Sequence, residues 1–213
     1  MFEKVLPGKT KDILALLGES DILPEKTYLA GGTACALQLG HRVSYDLDYF
    51  TTNKFSINIV LEKIKNLNHN FILEREAEQT ILGSFPEIKF SLFYYPYELL
   101  EETVNCNGNN LASLKDIAAM KINAVSDRGT KRDFVDLYFI MQNKNYSLDL
   151  VLQFYDEKFS TLSANREHIL KSLTYFDDAE NSDVPNMLVN YDWQKIKAFF
   201  ISKAKKYQAE LLK

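Results

Sequence analysis

A pair of adjacent glycines constrains the fold most. Residues 28–37 read Tyr-Leu-Ala-Gly-Gly-Thr-Ala-Cys-Ala-Leu, so an apolar stretch runs into Gly31 and Gly32, and the small hydroxyl residue Thr33 follows. This order predicts a short buried strand over Tyr28–Ala30, a tight turn, and a helix over Thr33–Leu39. Glycine lets a backbone approach a ligand closely. The first turn of a helix has unpaired N–H groups at the positive end of its dipole, and a phosphate fits there with the Thr33 hydroxyl as an added donor. The plainer reading is a tight turn with Thr33 as a helix cap.

The segment Arg42-Val-Ser-Tyr-Asp-Leu-Asp-Tyr-Phe-Thr follows, and its alternation predicts a strand over Ser44–Thr51. Asp46, Asp48 and Phe50 then share one face and Tyr45, Leu47 and Tyr49 the other, with the two aspartates about 6.6 Å apart along the chain. Two carboxylates on one strand face repel each other, and aspartate is a poor strand residue. A compensating cation is therefore expected, and Mg2+ suits hard oxygen ligands beside substrate phosphates. An edge strand with one wet face is the alternative that needs no metal.

Two further anomalies lie in the helical half. Ser113 and Asp116 form a capping-box start. In that register Leu114, Ile117, Ala118, Ile122 and Val125 make an apolar stripe that also contains Lys121. A lysine pointing inward must find an anion. In Phe134-Val-Asp-Leu-Tyr-Phe-Ile-Met, Asp136 is the one ionisable residue of an apolar run. The two residues read either as an ion pair between packed helices or as part of a site facing Asp46 and Asp48. Arg128, Lys131 and Arg132 lie between them and read by default as solvated surface charge, the alternative being added positive charge for a triphosphate held by Lys121.

The organisation along the chain is mixed α/β and then helical. Helices are expected over Lys11–Leu17 and Ile57–Leu67, and strands over Phe71–Glu76, Thr80–Gly83 and Ile88–Tyr95. After a polar loop at Asn105–Asn110, helices are expected over Ser113–Ser126, Arg132–Gln142, Leu148–Phe159, 164–173 and from Trp193 to near the end. The acidic stretch Asp177–Asp183 reads as a solvated loop. A division near residue 110 follows, into an α/β core over 1–110 and a helical domain over 111–213 that lends Lys121 and Asp136 to the site. With 213 residues, 46% of them hydrophobic, a sizeable core can be buried. A net charge of -4 confines any nucleic-acid contact to a local patch. No apolar run is long enough to span a bilayer. The two cysteines, Cys35 and Cys106, suit a reducing compartment, so a cytoplasmic protein without a membrane partner is expected. The histidines at 41, 69 and 168 make no zinc motif.

Taken together, the Gly31-Gly32-Thr33 helix start, the Asp46-Leu47-Asp48 pair, and Ser113-Leu-Lys-Asp-Ile-Ala-Ala-Met-Lys121 followed by Lys131-Arg-Asp-Phe-Val-Asp136-Leu-Tyr resemble the AbiEii/AbiGii toxin family of nucleotidyltransferases. The matching segments are 28–51, 88–97 and 111–142. The resemblance implies an α+β chain: a DNA polymerase β-like nucleotidyltransferase fold, a small mixed sheet with helices, followed by a C-terminal helical bundle. It further implies that Gly31, Gly32, Thr33, Ser44 and Lys121 bind a nucleoside triphosphate and that Asp46 and Asp48 hold Mg2+. Asp46, Asp48, Lys121 and Asp136 would be the catalytic set. The implied protein is the toxin of a toxin–antitoxin or phage-defence system, held by a cognate antitoxin, with tRNA, another RNA end or a protein as acceptor.

One departure stands out. Polymerase β-like enzymes usually carry a third carboxylate on a later strand, and by position that strand is Glu87-Ile-Lys-Phe-Ser-Leu-Phe-Tyr-Tyr. Ser91 stands where the acid is expected. Serine is not a base near neutral pH without help, Glu87 is too far along the strand, and Asp133 and Asp136 are the acids left to substitute. The alternative function is thus a nucleotide-binding or partner-binding module of the same fold with weak or no turnover.

Overall fold

The computed structural model describes residues 1–162 and 165–211. The first half contains β1 (Thr27–Leu29), β2 (Leu47–Thr51), β3 (Ile72–Ala77), β4 (Thr80–Phe85), β5 (Ile88–Tyr94), β6 (Val104–Cys106) and β7 (Asn109–Leu111), with helices α1 (Gly8–Gly18), α2 (Gly31–Leu39) and α3 (Ile57–Leu67) interspersed. Helices follow: α4 (Leu114–Asp127), α5 (Lys131–Lys144), α6 (Leu148–Lys158), α7 (Arg166–Ser172), α8 (Asp177–Glu180) and α9 (Trp193–Leu211). Residue 164, where the seventh helix was expected to begin, lies outside the described residues.

The strands form one mixed sheet in the order β3-β4-β5-β2-β1-β7-β6, with β2 central. β2 runs parallel to β5 and antiparallel to β1. Alternation along β2 buries Leu47, Tyr49 and Thr51 on one face and leaves Asp48 and Phe50 half-buried on the other. The first face packs on a conventional core: Tyr49 meets Phe90, which meets Phe71 and Phe85. The Tyr49 hydroxyl donates to Asn109 Oδ1 at 2.6 Å and ties β2 to β7.

Four sequence expectations are corrected. The strand expected over Ser44–Thr51 begins only at Leu47, so Asp46 sits in the loop that leads into it. The helix expected from Thr33 begins at Gly31, which puts both glycines in its first turn and leaves Thr33 without a capping bond. The stretch Asn105–Asn110 is not a loop: β6 and β7 pair across an Asn107-Gly108 turn in which both residues have positive φ. Asn-Gly between short strands is a hairpin signal, and it was present in the sequence. Part of Asp177–Asp183 likewise folds as the one-turn α8, whose Glu180 accepts from Trp193 Nε1 and Lys197.

Helix α4 sits between α2, α5 and α6, and its start is fixed as the capping box requires. The Ser113 hydroxyl accepts from the Asp116 amide at 3.0 Å. Asp116 is itself fully buried and accepts from Lys158 Nζ at 2.8 Å and from the Leu100 amide at 2.9 Å. The helix that carries Lys121 is thereby pinned to α6 and to the chain leaving the sheet.

Candidate active site

Two recesses meet in front of β2. The smaller, of about 140 Å³, is polar and lined by Gly32, Arg42, Ser44, Asp46, Asp48, Lys121, Arg128, Arg132 and Asp133. The larger, of about 350 Å³, is walled by Phe50, Phe93, Tyr94 and Tyr95 from the sheet side and by residues of α4 opposite. Asp48, Lys121 and Arg128 line both.

The backbone brings Asp48 and the start of α2 together. The Ala30 amide donates to the Asp48 carbonyl at 3.0 Å, and the next residue turns into the helix with φ +64° at Gly31. A Cβ at Gly31 would lie 3.0 Å from Asp48 Oδ2, so glycine here serves both the left-handed conformation and the close approach of the carboxylate. In the neighbouring strand Ser91 pairs in register with Asp48, so the position expected to carry a third acid is occupied by a hydroxyl directly beside the second one.

Burial raises the Asp48 pKa, the neighbouring Asp46 raises it further, and the Ser91 hydroxyl opposes both by favouring the carboxylate. Asp46 is more open, and its nearest cation is Arg132, with Nη1 at 3.8 Å. Two carboxylates converging on one recess, one of them penalised for its charge, make an oxygen donor set that a hard divalent cation fits.

Thr33 does not take the place expected of it. Its side chain is buried, and its hydroxyl contacts Ser44 Oγ at 2.8 Å and the Asp46 carbonyl. Its role is to clamp the 44–46 loop against α2, while Gly32 and Ser44 line the polar recess.

Behind the recess lies a buried ion cluster. Lys121 Nζ is 2.9 Å from Asp133 Oδ1 and 2.7 Å from Asp136 Oδ2. Arg42 grips Asp136 with two bonds, Nε to Oδ1 at 2.7 Å and Nη2 to Oδ2 at 2.9 Å, and His41 Nε2 lies 2.8 Å from Oδ1. Arg128 forks onto Asp133, which also accepts from the Thr130 hydroxyl. Burial alone would raise both carboxyl pKa values, but Lys121 and Arg128 hold Asp133, and Arg42 and Lys121 hold Asp136, far below the usual carboxylate range. Both oxygens of each acid already receive a cation or a hydroxyl, so neither is placed to replace the missing third carboxylate, and that expectation is corrected. Asp136 does not line the recess; it anchors Arg42 and Lys121, which do.

Arg42 and His41 received no role from the sequence, although Arg42 lies two residues before Ser44, and Asp133 was considered only as a substitute for the missing acid. Of the three cations read as surface charge, Arg128 and Arg132 line the recess, whereas Lys131 is buried elsewhere with Nζ 5.4 Å from the Trp193 ring. The aromatic wall was also missed, although Phe50 and Phe93 follow Asp48 and Ser91 by two residues on the same strand faces.

Cys35, His41 and Asp136 offer ligand atoms within 4.8 Å of one another. They do not suit a metal. The Asp136 oxygens already receive Arg42, Lys121 and His41, a cation there would meet two fixed positive charges, and burial pushes the Cys35 thiol away from thiolate.

Residues 15–211 match the model of the family described as nucleotidyl transferase AbiEii toxin, type IV toxin–antitoxin system. An uncharacterized protein of Aquifex aeolicus is 36% identical over 187 residues, covering 84% of this chain and 87% of the relative. The crystal structure of JHP933 from Helicobacter pylori superposes with a TM-score of 0.53 at 19% identity, covering 99% of this chain and 94% of that one. MenT4, a nucleotidyltransferase toxin from Mycobacterium tuberculosis, superposes with a TM-score of 0.52 at 15% identity over 93% of this chain and 86% of its own. At these identities the structures establish the shared fold. Among the described residues, no helix is long and apolar enough to cross a membrane.

Proposed function

The chain belongs to the AbiEii family of nucleotidyl transferase toxins, and from that premise we propose that it moves a nucleotidyl group from a nucleoside triphosphate to an acceptor hydroxyl. The observation that carries the reading is the junction of the two recesses at Asp48, Lys121 and Arg128. The polar recess has the cations and helix N-terminus for the triphosphate tail, and the aromatic recess has flat apolar walls for the nucleoside. The α-phosphate then lies at the junction, beside Asp46 and Asp48.

Asp46 and Asp48 are the residues that would hold Mg2+, which supplies charge neutralisation at the phosphates. The Gly32 backbone and Ser44 hold the tail, and Lys121, Arg42 and Arg128 face the negative charge that grows on the departing pyrophosphate. Fixed by Asp133 and Asp136, these cations need no reorganisation as charge develops. The acceptor oxygen bonds to the α-phosphorus as the bond to the β-phosphate oxygen breaks. With Asp133 and Asp136 tied up by cations, the acceptor proton passes to solvent.

In this proposal residues 1–110 form the nucleotidyltransferase core and 111–213 a helical domain that closes the site with Lys121. The protein acts in the cytoplasm as a toxin restrained by a cognate antitoxin, in phage defence or a related system, and its acceptor is an RNA end such as that of tRNA, or a protein.

Incubation with each labelled triphosphate, Mg2+, and total bacterial RNA and protein tests the reading, with Asp48→Ala as control. Label in RNA or protein with the wild type alone supports transfer and names the acceptor class. Ser91 beside Asp48 favours one second reading, a nucleotide-binding module; Mg2+-dependent triphosphate binding with no label in any acceptor would decide for it.

A further inference from the structure

The aromatic recess has one polar wall. Met120, Asn123, Ala124 and Asp127 of α4 all line it, spaced by three and four residues and therefore on one helix face. On the other side the Phe50 and Phe93 rings stack with centroids 5.3 Å apart, and Tyr95 meets Phe50 edge-on at 5.1 Å. A nucleobase laid against these rings finds stacking that does not distinguish one base from another. Discrimination has to come from groups that meet the edge of the base.

The cations that α4 contributes are already committed: Lys121 to Asp133 and Asp136, and Arg128 to Asp133. Asn123 and Asp127, by contrast, enter no side-chain hydrogen bond or ion pair among the described residues. Polar groups on the wall of an otherwise apolar recess are the ones that orient a ligand and give it specificity.

We propose that Asn123 and Asp127 read the hydrogen-bonding edge of the nucleobase and set which triphosphate the protein accepts. The inference rests on the nucleoside placement of the preceding section. An ionised carboxylate only accepts, so Asp127 demands a ring N–H or exocyclic amino group, while the Asn123 amide supplies two donors and one acceptor to the neighbouring positions. A well-made pair of this kind is worth about 1–3 kcal/mol of discrimination, or a factor of about 5 to 150 between bases. Asp127→Asn removes the requirement for a donor at nearly constant shape, and Asn123→Leu removes the amide at nearly constant volume.

The test is calorimetric titration of the full chain and both variants with ATP, CTP, GTP and UTP in the presence of Mg2+. The wild type is expected to separate its best from its worst triphosphate by about tenfold or more, and each variant to bring that ratio to within about threefold. Because the readout is a ratio, a general loss of phosphate affinity cancels. Equal affinities for all four in the wild type, or a wild-type ratio retained in both variants, overturns the assignment and leaves the proposed function standing. Failure of the wild type to bind any of the four defeats the proposed function itself, and the assignment with it.

Discussion

Ser91 stands in register beside Asp48 across the parallel β2–β5 pair, and its hydroxyl favours the ionised form of that carboxylate. The residue occupies the position of a missing acid and still supports the acid that is present. Ser91→Ala is expected to raise the Asp48 pKa further and so to weaken Mg2+-dependent triphosphate binding. Calorimetry at fixed Mg2+ checks this, and unchanged affinity would remove Ser91 from the site.

Asp48 carries a raised pKa because burial and Asp46 both penalise its charge. A carboxylate with a folded pKa above its unfolded value lowers stability once both states are ionised. Asp48→Asn is therefore expected to be at least as stable as the wild type at pH 7 while losing Mg2+-dependent triphosphate binding. Thermal melts without Mg2+ and binding assays with it separate the two effects; a strongly destabilised variant would count Asp48 as part of the structural framework instead.

Asp136 shows the opposite balance. Asp136→Asn leaves Arg42 and Lys121 facing a neutral group in a buried space, and truncating one partner of such a cluster costs about 3–5 kcal/mol. Urea unfolding should show a loss of that size. Any loss of nucleotide affinity should accompany it, since Asp136 acts through the cations it holds.

The same cluster fixes an acid limb of stability. The folded pKa values of Asp133 and Asp136 lie below the unfolded carboxylate value of about 3.9. Their contribution is complete above that value and is lost as pH falls towards the folded pKa values. Unfolding midpoints should accordingly hold steady from pH 7 to about 5 and fall steeply below about 4. Asp136→Asn should flatten the fall, and an equally steep limb in that variant would place the titrating groups elsewhere.

Gly31→Ala tests the turn. Alanine at φ +64° is strained by about 1 kcal/mol, and its Cβ would press on Asp48 Oδ2 from 3.0 Å. A modest drop in melting temperature with a larger drop in triphosphate affinity is expected; a drop in stability alone would show that the carboxylate moves aside without consequence.

Much of the site was legible because it is written in local patterns. The glycines before a helix, the carboxylate that period two puts on the half-buried face of β2, and the lysine in the apolar stripe of α4 each break a rule of their own element. The β6–β7 hairpin was equally local, with its Asn107-Gly108 turn, but three-residue strands carry too little periodicity to stand out. Thr33 was misplaced because helix α2 starts two residues earlier than expected, which turns its hydroxyl towards the 44–46 loop.

By itself the sequence determined most of the elements, β6, β7 and α8 excepted, the faces they bury and the family to which the chain belongs, since propensity, period and capping act over a few neighbours. Only the tertiary structure decided which charges meet. Arg42 and Asp136 are 94 positions apart, and Phe50 and Phe93 come together through the parallel register of β2 with β5. A buried carboxylate is compatible with any cation that packing brings to it, so its partner is chosen by how sheet and helices close on each other, which no local pattern encodes.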